Sequence, residues 1–167
     1  DTGDILLQES FAIEEDDNAG TVHDRMKEIG AAVLVRTVKG LANGVLNEMP
    51  QTSVVSGQSS VIKHAPKIFT ETCKIDWNKP VDEVYNLIRG LAPYPTAFSF
   101  LDRKKLKVYQ AGKVHKDPSV AAGEFETDEK SFLQFACTDG YISIIELQLE
   151  GKKKMDIADF LRGYRFV

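Results

Sequence analysis

Two runs of cationic side chains are the residues here whose types and spacing could do chemistry. "RKKLK" (Arg103–Lys107) places four cations in five positions, and "GKKKM" (Gly151–Met155) places three in a row. Clustered ammonium groups hold phosphates, with an affinity that falls steeply as salt rises and that carries little sequence information. The competing reading is a solvated, solubilising surface, and the acids Asp102 and Asp139 weigh on its side. Other chemistry is thinly supplied. His23, His64 and His115 stand isolated and read as surface or packed histidines. Cys73 and Cys137 lie far apart with no metal-ligand spacing. They read as two thiols, not as a disulfide or a zinc site, and they fit a reducing, cytoplasmic compartment. Phe98, Phe100, Phe132 and Phe135 fall at strand spacing and read as core, not as platforms for stacking bases. Asp1 and Thr2, beside Gly3, by residue type alone shape a turn.

Charge is divided along the chain. The formal net charge of −4 comes from 4 basic and 10 acidic residues over positions 1–50, against 17 basic and 15 acidic over positions 51–167. The acid is concentrated in "EEDD" (Glu14–Asp17). The back of the chain can therefore present a basic face despite an acidic whole. The apolar share of 43% is enough for a core, and no apolar run reaches the ~20 residues of a membrane span.

The elements that must position these residues read as follows. "DILLQESFAI" (Asp4–Ile13) is rich in strand formers. A helix is expected from Thr21 as N-cap, with Val22, Met26, Ile29 and Val33 on one apolar face. Gly30 marks a bend or break, Leu34, Val38 and Leu41 continue the face, and Asn43-Gly44 ends it. A strand and one amphipathic helix are half of an α/β unit and cannot bury both faces alone. The chain, opening on "DTGDILLQ", is thus expected to be the back portion of a longer protein. Residues 48–75 read as a polar connector, with "PQTSVVSGQSS" free of periodicity. Beyond it, Pro80 starts a helix whose buried stripe is Val81, Val84, Tyr85, Ile88 and Leu91, stopped by "APYP". Five short strands follow: "TAFSFL", "LKVYQAGKV", "GEFE", "SFLQFAC" and "YISIIELQL". The "DRKK" turn joins the first two, and "TDG" (Thr138–Gly140) gives a hairpin between the last two. Ile145, Leu147 and Leu149 are expected inward, with Glu146 and Gln148 on a wet face. A closing helix is capped by Asp156. The fold class is α+β: a strand–helix remnant, a linker, and a five-stranded barrel of oligonucleotide-binding (OB-like) type with flanking helices.

These stretches together resemble the C-terminal half of the methionyl-tRNA formyltransferase family. The resemblance rests on "DTGDILLQ", "TVHDRMKEIGA", Pro50-Gln51, "HAPKI", "KIDWNKP", "LIRGLAPYP", "TDG" and "LQLEGKKKM" with "DFLRG". The last of these favours the tRNA enzyme over sugar-nucleotide formyltransferases and formyl-folate hydrolases. A longer polar insert after Pro50-Gln51, and Tyr94 where Trp is common, depart from the family pattern. The resemblance implies that residues 1–47 end a Rossmann-like catalytic domain, that 48–75 is the linker, and that 76–167 is the OB-like C-terminal domain. It implies that Asp1 is the family's catalytic aspartate, working with an Asn and a His that lie upstream. It implies formyl transfer from 10-formyltetrahydrofolate to the amine of initiator Met-tRNA in the cytoplasm, with no metal and no membrane. It assigns tRNA binding to Lys67, Lys104, Lys105, Lys107, Lys152, Lys153 and Lys154. The chain alone is expected to be inactive. Two other readings stay open: a related formyltransferase or formyl-folate hydrolase with another acceptor, and a non-catalytic barrel for protein contacts.

Overall fold

The computed structural model describes residues 3–51 and 65–166. Asp1 and the connector between Gln51 and Ala65, including His64, lie outside the described residues. The chain divides into two compact units: Asp1–Glu15 with Thr21–Lys67, and Asp16–Gly20 with Ile68–Val167.

The dominant element of the first unit is α1 (Ala19–Ala42), whose first two residues, Ala19 and Gly20, are counted with the second unit. The N–H of Gly20 donates to the carbonyl of Ala92 at 3.1 Å, which satisfies one of the orphan donors of the first turn. The helix therefore begins two residues before Thr21, which is not its N-cap. Gly30 does not break it, because twenty-four residues of continuing hydrogen bonds tolerate one glycine. It ends where expected, with Gly44 at φ +65 in the left-handed region. Residues 9–12 run beside α1. Arg25 donates to the Ala12 carbonyl and lies over the Phe11 ring, and Arg36 pairs with Glu9. The expected strand over 4–13 is reduced to one antiparallel bridge, Ile5 with Met49, each N–H donating to the other's carbonyl. A strand needs a ladder, and only Met49 provides a rung to this segment among the described residues. The expected single apolar face is split. Val22, Ile29 and Val33 are half-buried, whereas Met26, Leu34, Val38 and Leu41 are more than half exposed.

In the second unit a six-stranded antiparallel sheet carries the core. Its strands are β1 (Ala97–Leu101), β2 (Lys104–Val114), β3 (Phe125–Thr127), β4 (Leu133–Ala136), β5 (Tyr141–Leu149) and β6 (Met155–Asp156). The order is β1-β2-β5-β4-β3, with β6 added to β5. No ladder joins β1 to β3 among the described residues, so the sheet is a curled half-barrel where the sequence reading expects a barrel. The free edge of β1 is already occupied: Lys74 bridges Phe98, and the Ile75 N–H donates to the Phe98 carbonyl at 2.8 Å. The connector consequently ends earlier than residue 75. Glu71–Cys73 forms a 3-10 turn, and Cys73 and Ile75 belong to the core.

Helix α2 (Val81–Leu91) packs on β2 with Val81, Val84, Ile88 and Leu91 buried. Pro80 lacks an N–H that the first turn could not use, and the Val81 N–H donates to Asp139 at 2.7 Å. The "TDG" hairpin thus caps a helix 58 residues away in sequence. A Cβ on Gly140 would stand 2.5 Å from the Val114 carbonyl oxygen, so glycine is required where this turn closes. Trp77 stacks on Phe135 at 4.8 Å and its Nε1 donates to Ser99 at 2.9 Å, which satisfies the indole inside the core. Helix α3 (Ile157–Gly163) starts on Asp156, whose side chain accepts from the Asp159 N–H. Among the described residues no helix is long and apolar enough to cross a membrane.

Two register shifts interrupt the β2–β5 ladder, between Val108 and Gln110 and between Gln110 and Ala111. Val108 opposes Leu147, Gln110 opposes Glu146 and Ala111 opposes Ile144, so Tyr109 and Ile145 are left without partners in the ladder. The alternation of β5 slips there. Ile144 takes the inward place expected of Ile145, which is 40% exposed.

Candidate nucleic-acid interface

Leu106 and Val108 are fully buried, so the pleat of β2 sends Lys105 and Lys107 to the opposite, outer face. Lys107 stands across from Gln148, whose amide oxygen accepts from the Tyr109 hydroxyl at 3.0 Å. The bulge at Tyr109 turns that ring toward the end of β5. There the ammonium of Lys154 lies 4.7 Å from the ring centroid and 2.8 Å from the Glu146 carboxylate. Gln148 also donates to the Lys152 carbonyl at 3.0 Å. Glu150 holds the two basic turns side by side: its N–H donates to the Lys105 carbonyl at 2.8 Å, and its carboxylate accepts from the Lys105 N–H at 3.0 Å. The two lysine runs, more than forty residues apart in sequence, therefore meet at one end of the sheet.

The structure separates the seven lysines by position. Lys105, Lys107 and Lys154 share the outer face. Lys104 opposes Leu101 at the mouth of the hairpin. Lys152 lines an apolar recess with Leu149, Met155 and Tyr164, and Lys153 is exposed on the turn. Lys67 is counted with the first unit, and Asp1 lies outside the described residues. Among the described residues no carboxylate forms an ion pair with Lys104, Lys105, Lys107, Lys152 or Lys153. Of these, Lys105 and Lys107 stand on the outer face, and unpaired charge there favours an anionic ligand over an internal ion-pair network.

Two grooves adjoin Lys105 and Lys107. One, of about 270 Å³, is walled by Phe69, Tyr94 and Phe98. The other, of about 320 Å³, runs past Gln148 to Glu150. Sequence reasoning missed Lys74, Tyr94 and Tyr109 here. Tyr109 follows Lys105 and Lys107 at the two-residue period of the strand, and its bond to Gln148 is what the sequence alone could not supply. Lys74 arrives by the edge bridge to β1, and its ammonium lies 6.0 Å from the Phe100 ring centroid. Phe100 was expected inside. It is 49% exposed, because Ser99 and Leu101 hold the inward positions of β1.

A methionyl-tRNA formyltransferase of Phocaeicola vulgatus is 44% identical over 99% of this chain, and that of Parabacteroides distasonis is 40% identical over 99%. The chain spans about half (52%) of the length of each. Among solved structures, a HypX variant from Aquifex aeolicus matches all of this chain and 29% of its own, with a TM-score of 0.66 at 17% identity. WlaRD, a sugar 3N-formyl transferase, matches 91% of this chain and 51% of its own, with a TM-score of 0.60 at 19% identity. These two likenesses establish a shared fold. Residues 67–165, more than half of the chain, match the model of the formyl transferase C-terminal domain, and the chain belongs to that family.

Proposed function

We propose that this chain is the C-terminal portion of a methionyl-tRNA formyltransferase, and that its second unit holds the acceptor tRNA while the rest of the enzyme transfers the formyl group. The parent enzyme moves a formyl group from 10-formyltetrahydrofolate to the amine of initiator Met-tRNA in the cytoplasm. The observation that carries this reading is the meeting of the two lysine runs at one end of the sheet, in a chain 44% identical to a protein of that name. On this reading residues 1–47 close a Rossmann-like catalytic domain, and the half-barrel is the family's OB-like module. The exposed apolar residues of α1 support the first of these, since Leu34, Val35 and Val38 are what a helix covering a sheet would present to it.

Asp1 is the proposed catalytic aspartate. As the amine attacks the formyl carbon, negative charge grows on the carbonyl oxygen and the nitrogen must lose a proton. A carboxylate here keeps a neighbouring histidine charged and oriented, or passes the proton through water. On this reading the folate co-substrate and that histidine are held by the part of the enzyme outside this chain, and the chain alone is inactive.

Filter binding of tRNA to the 167-residue chain against rising salt tests the reading. Log affinity should fall linearly with log salt, and Lys105→Ala with Lys107→Ala should reduce that slope by about 1 for each phosphate no longer neutralised. Binding indifferent to salt, or equal weakening when exposed acids are replaced, would overturn it.

A further inference from the structure

The outer face of the β1–β2 hairpin alternates aromatic and cationic side chains. Across the two strands Phe98 opposes Lys107 and Phe100 opposes Lys105. The Lys105 ammonium reaches diagonally to 3.8 Å from the Phe98 ring centroid, and the Phe98 and Phe100 rings meet edge to face at 5.9 Å. Tyr94, just before β1, is 87% exposed and walls the same groove as Lys105 and Lys107. Phe98 itself is buried, so the exposed rings of this face are Phe100 and Tyr94. Phosphate binding alone accounts for the lysines but not for these two rings held in water beside them. A duplex keeps its base faces stacked inside, where no surface ring can reach them. An unpaired nucleotide offers both groups at once, a π-face for a ring and a phosphate for an ammonium. A protein partner fits less well, because the centres of protein interfaces are depleted in lysine, and here lysines stand between the rings.

We propose that this face binds an unpaired stretch of RNA, with one base stacked on Phe100, another on Tyr94, and the intervening phosphates on Lys105 and Lys107. This rests on the tRNA-binding reading and narrows it, from the phosphate backbone in general to unpaired nucleotides. Lys105 has two tasks: its stem covers Phe98, and its ammonium is set beside the position of a phosphate.

The test compares a labelled single-stranded oligoribonucleotide of about 12 residues, carrying one 2-aminopurine, with a blunt RNA duplex of the same sequence. Both are titrated against the full chain by anisotropy, and the 2-aminopurine emission is followed in parallel. Phe100→Ala and Tyr94→Ala should each weaken single-strand binding by about 5- to 20-fold, relieve part of the quenching, and leave duplex binding within about twofold. The salt slope should stay unchanged in both. Phe100→Tyr should bind as the parent does, whereas Phe100→Leu, which keeps the apolar bulk and removes the π-face, should behave as Phe100→Ala. Retained binding in Phe100→Leu, equal weakening on both RNAs, or no weakening in any variant would overturn the proposal. Salt-dependent binding that ignores Phe100 and Tyr94 would overturn this inference alone. A parent chain that binds neither RNA would sink the tRNA reading with it.

Discussion

Cys137 is the side chain whose ionisation the fold alters most clearly. Burial, and secondarily the charge of Asp139, pushes its thiol up to about 12. The folded state therefore keeps the proton after an unfolded thiol, near 8.5, has given it up. Stability from this source is complete below about pH 8.5 and drains away as pH rises toward 12. Tyr164 behaves alike from about pH 10, since burial and its hydrogen bond to Asp102 hold it at about 12. Thermal melts of Cys137→Ala against the parent should show a gap that narrows between pH 8 and pH 11. A constant gap would mean that packing alone is removed. The same residue should react with a thiol reagent at pH 8 only as fast as the chain opens, because the thiolate is the reactive form and the folded state withholds it. Sequence reading placed Cys137 correctly as a free thiol, yet its shift depends on neighbours that only folding supplies.

At the scale of elements, turns carry the architecture. Asp128 accepts from the N–H groups of Lys130, Ser131 and Phe132 and from the Ser131 hydroxyl, and these bonds hold its carboxyl well below the usual range. A depressed carboxylate stabilises the fold above its unfolded value of about 3.9 and loses that contribution as pH falls below it. Asp128→Ala should lower the melting temperature at pH 7, and the deficit should shrink as pH falls below about 4, measured by circular dichroism. The Asp139 cap gives a second prediction. Asp139→Ala should cost about 1 kcal/mol by removing the acceptor at the start of α2, and Gly140→Ala about 1–3 kcal/mol through the clash with Val114. Both are readable from denaturant midpoints. The "TDG" hairpin, the stop at "APYP" and the Asp156 cap were legible because each is a property of a few adjacent residues. The start of α1 was not, since its first donor is met by Ala92, and neither was the slip at Tyr109, which needs two strands to exist.

For the molecule as a whole, the two units differ sharply in what they bury. Over the whole of α1 only Gly40 is buried, whereas the second unit closes a continuous core from Cys73 to Leu161. Backbone in segments with few buried apolar side chains opens more readily. Limited trypsin digestion of the chain should therefore cut first at Lys27, Arg36, Lys39 and Lys67, and leave a resistant piece that begins near Ile68, identified by intact mass. Early cleavage at Lys105 or Lys113 would contradict this ranking. The sequence by itself determined that lysines are clustered, that strands follow helices behind residue 76, and that the family motifs are present, because composition, short-range periodicity and turn chemistry are local. Only the tertiary structure decided that the two lysine runs lie together, that Phe100 faces outward beside Lys105, and that the edge of β1 is taken by Lys74 and Ile75. Those outcomes depend on which face of each strand is covered by residues distant in the chain. Pairing and burial settle that, and no local pattern encodes it.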